Sequence, residues 1–162
     1  MKRLIFFLYT LILSLWIGGM AIFTFVVTPA IFSSYNRDMA GEIVGKLFPG
    51  YFTYTLVLSA LALVVFFLFN ADRSKKPFRL SLVLLTAALL ANSYVSFKLY
   101  PDTVRVKQQV ASFEQESPDS AARKAFRRLH AISAVINLFM LVDGIALLAF
   151  SRGLIKKKRV FY

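Results

Sequence analysis

Residues 4–27, LIFFLYTLILSLWIGGMAIFTFVV, contain no charged side chain and few polar ones. A helix needs about 20 mainly apolar residues to cross the roughly 30 Å hydrocarbon core of a bilayer. Three further charge-poor runs follow, so the sequence predicts four spans, at about 4–28, 48–70, 80–99 and 127–151. We therefore expect an all-α integral membrane protein, an antiparallel four-helix bundle that forms one domain over residues 1–162.

The composition supports this class. Hydrophobic residues make up 58% of the chain and the mean hydropathy is +0.65, values typical of a membrane protein rather than a soluble domain. The chain contains no cysteine, which excludes disulfides, thiolate metal sites and cysteine nucleophiles.

The distribution of basic residues predicts the orientation. With four spans, both termini lie on one side, and just over half of the 20 lysines and arginines fall in short segments on that side. The positive-inside rule then places both termini in the cytoplasm of a multi-pass cell-membrane protein, in the inner membrane if the source is bacterial. The tail SRGLIKKKRVFY, residues 151–162, predicts contact with membrane lipids through anionic headgroups. The net charge of +12 does not indicate nucleic-acid binding, because no nucleic-acid motif accompanies it.

The long segment between spans three and four predicts a helical hairpin at about 101–126, outside the membrane. Ser117-Pro118-Asp119 has the pattern of a helix start, with a capping serine and a proline at the first helical position. Residues 102–114 carry an apolar stripe at helical spacing and supply the other arm.

Span four opens with RRLHAISAVINL, residues 127–138, which is unusually polar for a membrane helix. On a helical wheel its polar residues form one stripe, which must face other helices or a wet cavity because lipid cannot satisfy polar groups. Asn92 of span three falls in the same half of the membrane. These residues predict a polar cup and a set of candidate ligand-binding residues: His130, Ser133, Asn137, Asn92, Arg127 and Arg123. The competing interpretation is interhelical hydrogen bonding, with His130 as a capped interfacial side chain.

Asp143 lies away from this stripe, within the second half of span four. An ionisable group inside a membrane predicts a functional role, either as a proton carrier or as a cation ligand. The alternative is a neutral aspartate that bonds Ser14, the Trp16 indole or a partner subunit.

Catalytic and cofactor motifs are absent from the sequence. One histidine, no nucleophile motif and no glycine-rich nucleotide loop predict a protein that is not an enzyme and needs no metal or cofactor. A single histidine also excludes a bis-histidine haem within one chain.

Four segments carry a resemblance to a known family: LWIGGM (15–20), FVVTPAIF (25–32), AGEIVGKLFPGYF (40–52) and RRLHAISAVINL (127–138). In this order they resemble the small four-span DUF4149, or transmembrane protein 205-like, family. The resemblance singles out His130, Ser133 and Asn137, together with Pro29 and the Phe48-Pro49 turn. The animal relative is associated with resistance to platinum drugs, which implies handling of small molecules or metals.

Two functions remain open at this stage. In the first, the cup binds or helps transport a small polar solute or ion. In the second, the protein is a non-catalytic accessory or assembly subunit of a larger membrane complex, with Phe66, Phe67 and Phe69 as lipid or partner contacts. A homo-oligomer or a larger assembly is expected in either case.

Overall fold

The computed structural model describes residues 2–68 and 76–154 and contains four long helices. Their bounds, in chain order, are α1 (Lys2–Ile22, a π-helical turn at Phe23–Val27, then Thr28–Ser34), α2 (Arg37–Leu68), α3 (Lys76–Tyr94, a π-helical turn at Val95–Leu99, then Tyr100–Lys107) and α4 (Ala121–Leu154). All four are long and apolar enough to cross a membrane. The predictions of an all-α fold and four spans are confirmed, while the span limits within these helices stay predictions.

A proline follows each of the two π-helical turns, whereas Pro49, expected in a turn with Phe48, lies inside α2 without a π-helical turn. Pro29 and Pro101 each follow a π-helical turn by two residues. A proline ring has no N–H and crowds the carbonyl four residues earlier, which breaks regular α-helical bonding. The wider turn relieves this conflict: Thr28 N–H bonds the Phe23 carbonyl five residues back. Pro101 therefore does not separate two helices, because α3 continues through it.

The helices form a ring in which each contacts its two neighbours: α1 with α2 and α4, and α3 with α2 and α4. The main core fills the half of the bundle that lies nearer the N-terminus. Its largest fully buried side chains are Trp16, Tyr9, Phe66, Leu13, Met20, Leu85, Met140 and Leu147. Phe66 is thus a core residue and not the lipid or partner contact expected for it, because it stacks on Phe78. Phe67 is exposed, and Phe69 lies outside the described residues.

The hairpin between α3 and α4 is present, but its helical arms are shorter than expected. Residues 108–120 form turns, so the predicted helix at 108–114 is wrong. Side-chain carboxylates accept hydrogen bonds from backbone N–H groups in this segment: Asp38 accepts one from Phe113 at 2.6 Å, and Glu116 accepts one from Ala111 at 3.0 Å. Helix α4 is capped by Ser120, which accepts Arg123 N–H at 3.2 Å, and not by Ser117.

Residues 69–75 and 155–162 lie outside the described part of the chain. The cytoplasmic orientation and the headgroup contacts of the basic tail rest largely on these residues, and both stay predictions.

Candidate functional site

A cavity of about 340 Å³ lies at the hairpin end of the bundle, where α1 and α3 end and α2 and α4 begin. Six aromatic side chains from all four helices and the hairpin line it: Phe32, Phe48, Phe52, Tyr100, Phe113 and Phe126. The remaining lining groups include threonine and serine hydroxyls and three basic side chains. The predicted polar cup is therefore a mainly apolar cavity with a few polar groups.

The aromatic side chains support one another. The Phe48 and Phe52 rings stack at 5.3 Å between centroids, and Phe52 lies 5.2 Å from Tyr100 of α3. Phe113 of the hairpin packs edge to face on Phe126 of α4 at 4.9 Å. Such contacts stabilise ring pairs beyond their buried area, so these walls have a defined shape.

The Lys107 side chain lies against the α2 backbone beside the cavity, where Gly45 leaves room for it. Its ammonium donates a hydrogen bond to the Gly41 carbonyl at 2.6 Å. A Cβ at Gly45 would lie 3.3 Å from the same nitrogen, closer than most real contacts. The spacing of Gly41 and Gly45 therefore positions a lysine at the cavity wall, which the sequence interpretation missed.

Two predicted residues of α4 line the cavity, His130 and Ser133. The His130 ring stacks on Phe126, with 5.8 Å between centroids and 7° between planes. His130 is nevertheless exposed as a whole residue, because it stands at the edge of the cavity with its other face open.

Asn137 lies one helical turn beyond Ser133 on α4, farther from the hairpin, and does not line the cavity. The Tyr51 hydroxyl donates a hydrogen bond to its side-chain oxygen, and its amide nitrogen donates to Thr24 Oγ1 at 2.9 Å. These bonds join α1, α2 and α4 directly beneath the cavity. For Asn137 the structure supports the interhelical interpretation.

The other three predicted residues also lie off the cavity. Asn92 is buried, and its amide nitrogen has no partner among the described residues. Arg123 donates to the Glu116 carbonyl and lies over the Phe113 ring, so it stabilises the hairpin. Arg127 is exposed.

The charged side chains that line the cavity are all basic. Arg37, Lys107 and His130 line it, and none of the described lining residues is acidic. Three carboxylates lie near these basic residues: Asp38 accepts the Ser112 hydroxyl at 2.6 Å, Glu42 pairs with Lys46 at 2.7 Å, and Glu114 accepts the Arg37 N–H at 3.1 Å. Asp38 and Glu42 also interact electrostatically with Lys107. The sequence signals for the missed residues were the four-residue spacings of Gly41 with Gly45 and of Phe48 with Phe52.

Asp143 lies far from this cavity, in the half of the bundle near the chain ends. It is 3% exposed, and neither carboxylate oxygen has a hydrogen-bond partner in the described part of the chain. The alternative of a bond to Trp16 or Ser14 is not seen: the Trp16 indole nitrogen is also unpartnered among the described residues, and Ser14 is exposed. Its role as a proton carrier or cation ligand stays a prediction.

Within residues 2–68 and 76–154, no group of three or more histidines and carboxylates is arranged to hold a metal ion.

Comparisons with known proteins relate the sequence to a protein family and to a bacterial relative. Residues 11–112 match the family model described as "Domain of unknown function (DUF4149)". An "Uncharacterized protein" of Aquifex aeolicus (strain VF5) is 32% identical over 89 residues, which cover 55% of this chain. The match covers 64% of that relative, slightly less than two thirds of its length. No solved structure matches the chain significantly. The matched family region includes the α2 and α3 walls of the cavity and ends before α4.

Proposed function

The chain belongs to the DUF4149 family, whose function is unknown, and we propose that this multi-pass membrane protein binds a small anionic amphiphile in its aromatic cavity. One observation carries the proposal: the cavity has apolar walls, while its charged lining groups are all basic.

The walls favour an apolar body. Small-molecule sites are typically concave and lined by apolar and aromatic side chains, with a few polar groups that fix orientation. A cavity of about 340 Å³ lies at the small end of the usual range, roughly 300–1,000 Å³. A fully polar solute would lose its hydration against Phe48, Phe52 and Tyr100 without replacement hydrogen bonds.

The polar groups favour an anionic head. Lys107 and Arg37 carry fixed positive charge, and His130 and Ser133 supply hydrogen-bond donors or acceptors. A carboxylate or phosphate beside them would gain charge-assisted hydrogen bonds, which are stronger than neutral ones.

The closed floor of the cavity favours binding over passage through the bundle. Tyr51, Asn137 and Thr24 are linked beneath the cavity, and the packed core around Trp16 and Met20 follows. Of the two roles expected for the cup, binding or helping transport of a small polar solute or ion, we therefore propose binding, with an amphiphile in place of the polar solute.

The test uses radiolabelled dodecanoate and dodecyltrimethylammonium, which share a chain length and differ in the sign of the head. Binding is measured by scintillation proximity on the protein in nanodiscs. We expect saturable binding of dodecanoate alone. Lys107→Met should weaken it about tenfold, since a hydrogen bond to a charged group contributes roughly 1.5–3 kcal/mol.

Lys46→Met is the matched control, because Lys46 lies on α2 at the same end and pairs with Glu42 outside the cavity. It should leave dodecanoate affinity unchanged. Equal binding of both amphiphiles, or equal losses in the two variants, would contradict an anion-selective cavity.

A further inference from the structure

The aromatic cavity opens sideways, between α1 and α4. Of its lining residues, only Phe32, Arg37 and His130 are exposed. Phe32 lies near the end of α1, His130 near the start of α4, and Arg37 at the turn between α1 and α2. The exposed members therefore lie on the α1 and α4 side of the cavity, whereas the α3 lining residues are half-buried, and Lys107 and Tyr100 bond the Gly41 and Gly45 carbonyls of α2.

The backbone explains this opening. The first part of α1, Lys2–Ile22, packs on α4, but Phe23–Val27 and Thr28–Ser34 make no backbone contact with it. The two helices diverge at the π-helical turn that precedes Pro29. Tyr100–Lys107 likewise makes no backbone contact with α2, but there the Lys107 and Tyr100 side chains bridge the gap. A side-chain hydrogen bond from Asn137 to Thr24, 2.9 Å long, joins α1 and α4 just before they diverge. It forms the edge of the opening that lies farthest from the hairpin.

The surface beside the opening is apolar. On α1, Phe25 and Val26 are exposed next to it, and on α4, Ile132 and Val135 are exposed. These residues lie within the predicted spans 4–28 and 127–151, where exposed apolar side chains would face acyl chains. The charged side of the opening, at Arg37, lies nearest the hairpin, where headgroups meet water.

The route from the hairpin side is covered instead. Phe113 fills that end of the cavity, and its segment is held down by Asp38, which accepts bonds from Ser112 and from the Phe113 N–H. Arg123 lies over the Phe113 ring with its guanidinium carbon 5.7 Å from the centroid.

We infer that the ligand is a single-chain anionic lipid which enters laterally from the bilayer leaflet on the hairpin side, through the opening between α1 and α4. Its acyl chain passes between Phe32 and His130 into the aromatic cavity. Its headgroup stays at the interface, beside Arg37 and Lys107. This inference rests on the proposed function and adds the source of the ligand and its path.

The test closes one route at a time, and the absence of native cysteine makes both closures specific. The lateral clamp is Thr28→Cys with Ser133→Cys, joined by a short bismaleimide across the opening. The hairpin clamp is Asp38→Cys with Ser112→Cys, whose native side-chain oxygens are 2.6 Å apart, joined as a disulfide. Each clamped protein is compared with its own unlinked double variant.

The readout is the rate at which radiolabelled dodecanoate, bound to protein in nanodiscs, exchanges with unlabelled dodecanoate supplied in vesicles. The lateral clamp should slow exchange about tenfold, which corresponds to roughly 1.4 kcal/mol on the barrier. The hairpin clamp should leave the rate unchanged. Slowing by the hairpin clamp alone, or by neither clamp, would overturn lateral entry while leaving the bound site intact.

The outcomes separate the two claims. If the unclamped wild-type protein binds no dodecanoate, the proposed function fails before any clamp is used. If the Thr28 and Ser133 variant does not assemble, Phe32→Cys with His130→Cys spans the same opening nearer to water and replaces it.

Discussion

The two halves of the bundle differ in how they hold their polar side chains. Near the chain ends, the helices pack closely, and several polar atoms are buried without a partner in the described chain, on Tyr9, Trp16, Ser81 and Asp143. Near the hairpin, α1 and α4 diverge, and Asn137 and Lys107 reach partners on other helices, although Asn92 and Ser96 of α3 are buried there without a partner in the described chain. The packed half is therefore stabilised mainly by apolar packing, and the hairpin half gains directional bonds around the cavity. Added volume should damage the first half, and lost hydrogen bonds the second.

The largest effect is expected from added volume in the packed half. A Cβ at Gly144 would lie 2.8 Å from the Ile17 side chain, so Gly144→Leu forces α1 and α4 apart. Overpacking of this kind costs typically 1–3 kcal/mol and occasionally more, and we expect about 3 kcal/mol of lost unfolding free energy. Unfolding in mixed micelles of mild detergent and SDS measures it.

Gly18→Leu provides the control for this substitution. Gly18 lies mid-helix on α1, and a Cβ there meets nothing within 4 Å. It should be tolerated, and an equal loss in both variants would show that close packing at Gly144 is not the cause.

The second effect tests the bonds beneath the cavity. Asn137→Ala removes the contacts with Tyr51 and Thr24, and interhelical hydrogen bonds in membranes contribute about 0.6–2 kcal/mol each. We expect a loss of roughly 2 kcal/mol in unfolding free energy. A double-mutant cycle with Tyr51→Phe should show coupling between the two residues.

Asn92→Ala is the comparison for Asn137, since the Asn92 side chain is buried in the same half but its amide nitrogen is unpartnered in the described chain. It should cost less. A larger loss for Asn92 than for Asn137 would show that the bonds of Asn137 to Tyr51 and Thr24 do not stabilise the bundle.

These contrasts show what the sequence could predict. Charge-free runs identify the spans, because hydrocarbon excludes charge and needs a fixed helix length. The polar stripe of α4 includes His130 and Ser133, which line the cavity, and their role in ligand binding stays a prediction. The stripe could not identify Lys107 or Phe32, since each follows a π-helical turn that shifts the register assumed by a regular helical wheel. Nor could one helix reveal that Asn137 would reach Tyr51, because that contact depends on the packing of three helices.

The third prediction concerns the unpartnered acid of the packed half. Asp143→Leu replaces a buried carboxylate by an apolar side chain of similar size. Removing an unsatisfied buried polar group is neutral or stabilising, so we expect a gain of about 1 kcal/mol in unfolding free energy.

Asp102→Leu should have the opposite sign, because Asp102 pairs with Lys98 at 3.1 Å, and partly exposed ion pairs contribute at most about 1 kcal/mol. If Asp143→Leu destabilises the protein instead, Asp143 has a partner outside the described chain or a proton or cation to hold.

The smallest effect is a pH dependence confined to the hairpin cover of the cavity. A hydrogen bond from the Ser120 side chain holds the pKa of Glu116 below its ordinary value, and a bond from the Ala111 N–H lowers it further. A lowered pKa in the folded state means that the carboxylate stabilises the hairpin above the ordinary pKa, and that this contribution is lost as pH falls through the folded value. Hydrogen exchange at residues 108–120 should therefore rise relative to the helices, after correction for intrinsic rates, once the pH drops below about 4.5. Glu116→Gln should remove the onset of this dependence at about pH 4.5 and leave only the loss at lower pH that follows protonation of Asp38, whose pKa is lowered by its bonds with Ser112 and Phe113, while the exchange of α2 and α3 stays as in wild type. If wild type and Glu116→Gln lose protection at the same pH, the hairpin is held by its contacts with Asp38 alone, and the cover of the cavity depends on α2 rather than on its own internal bonds.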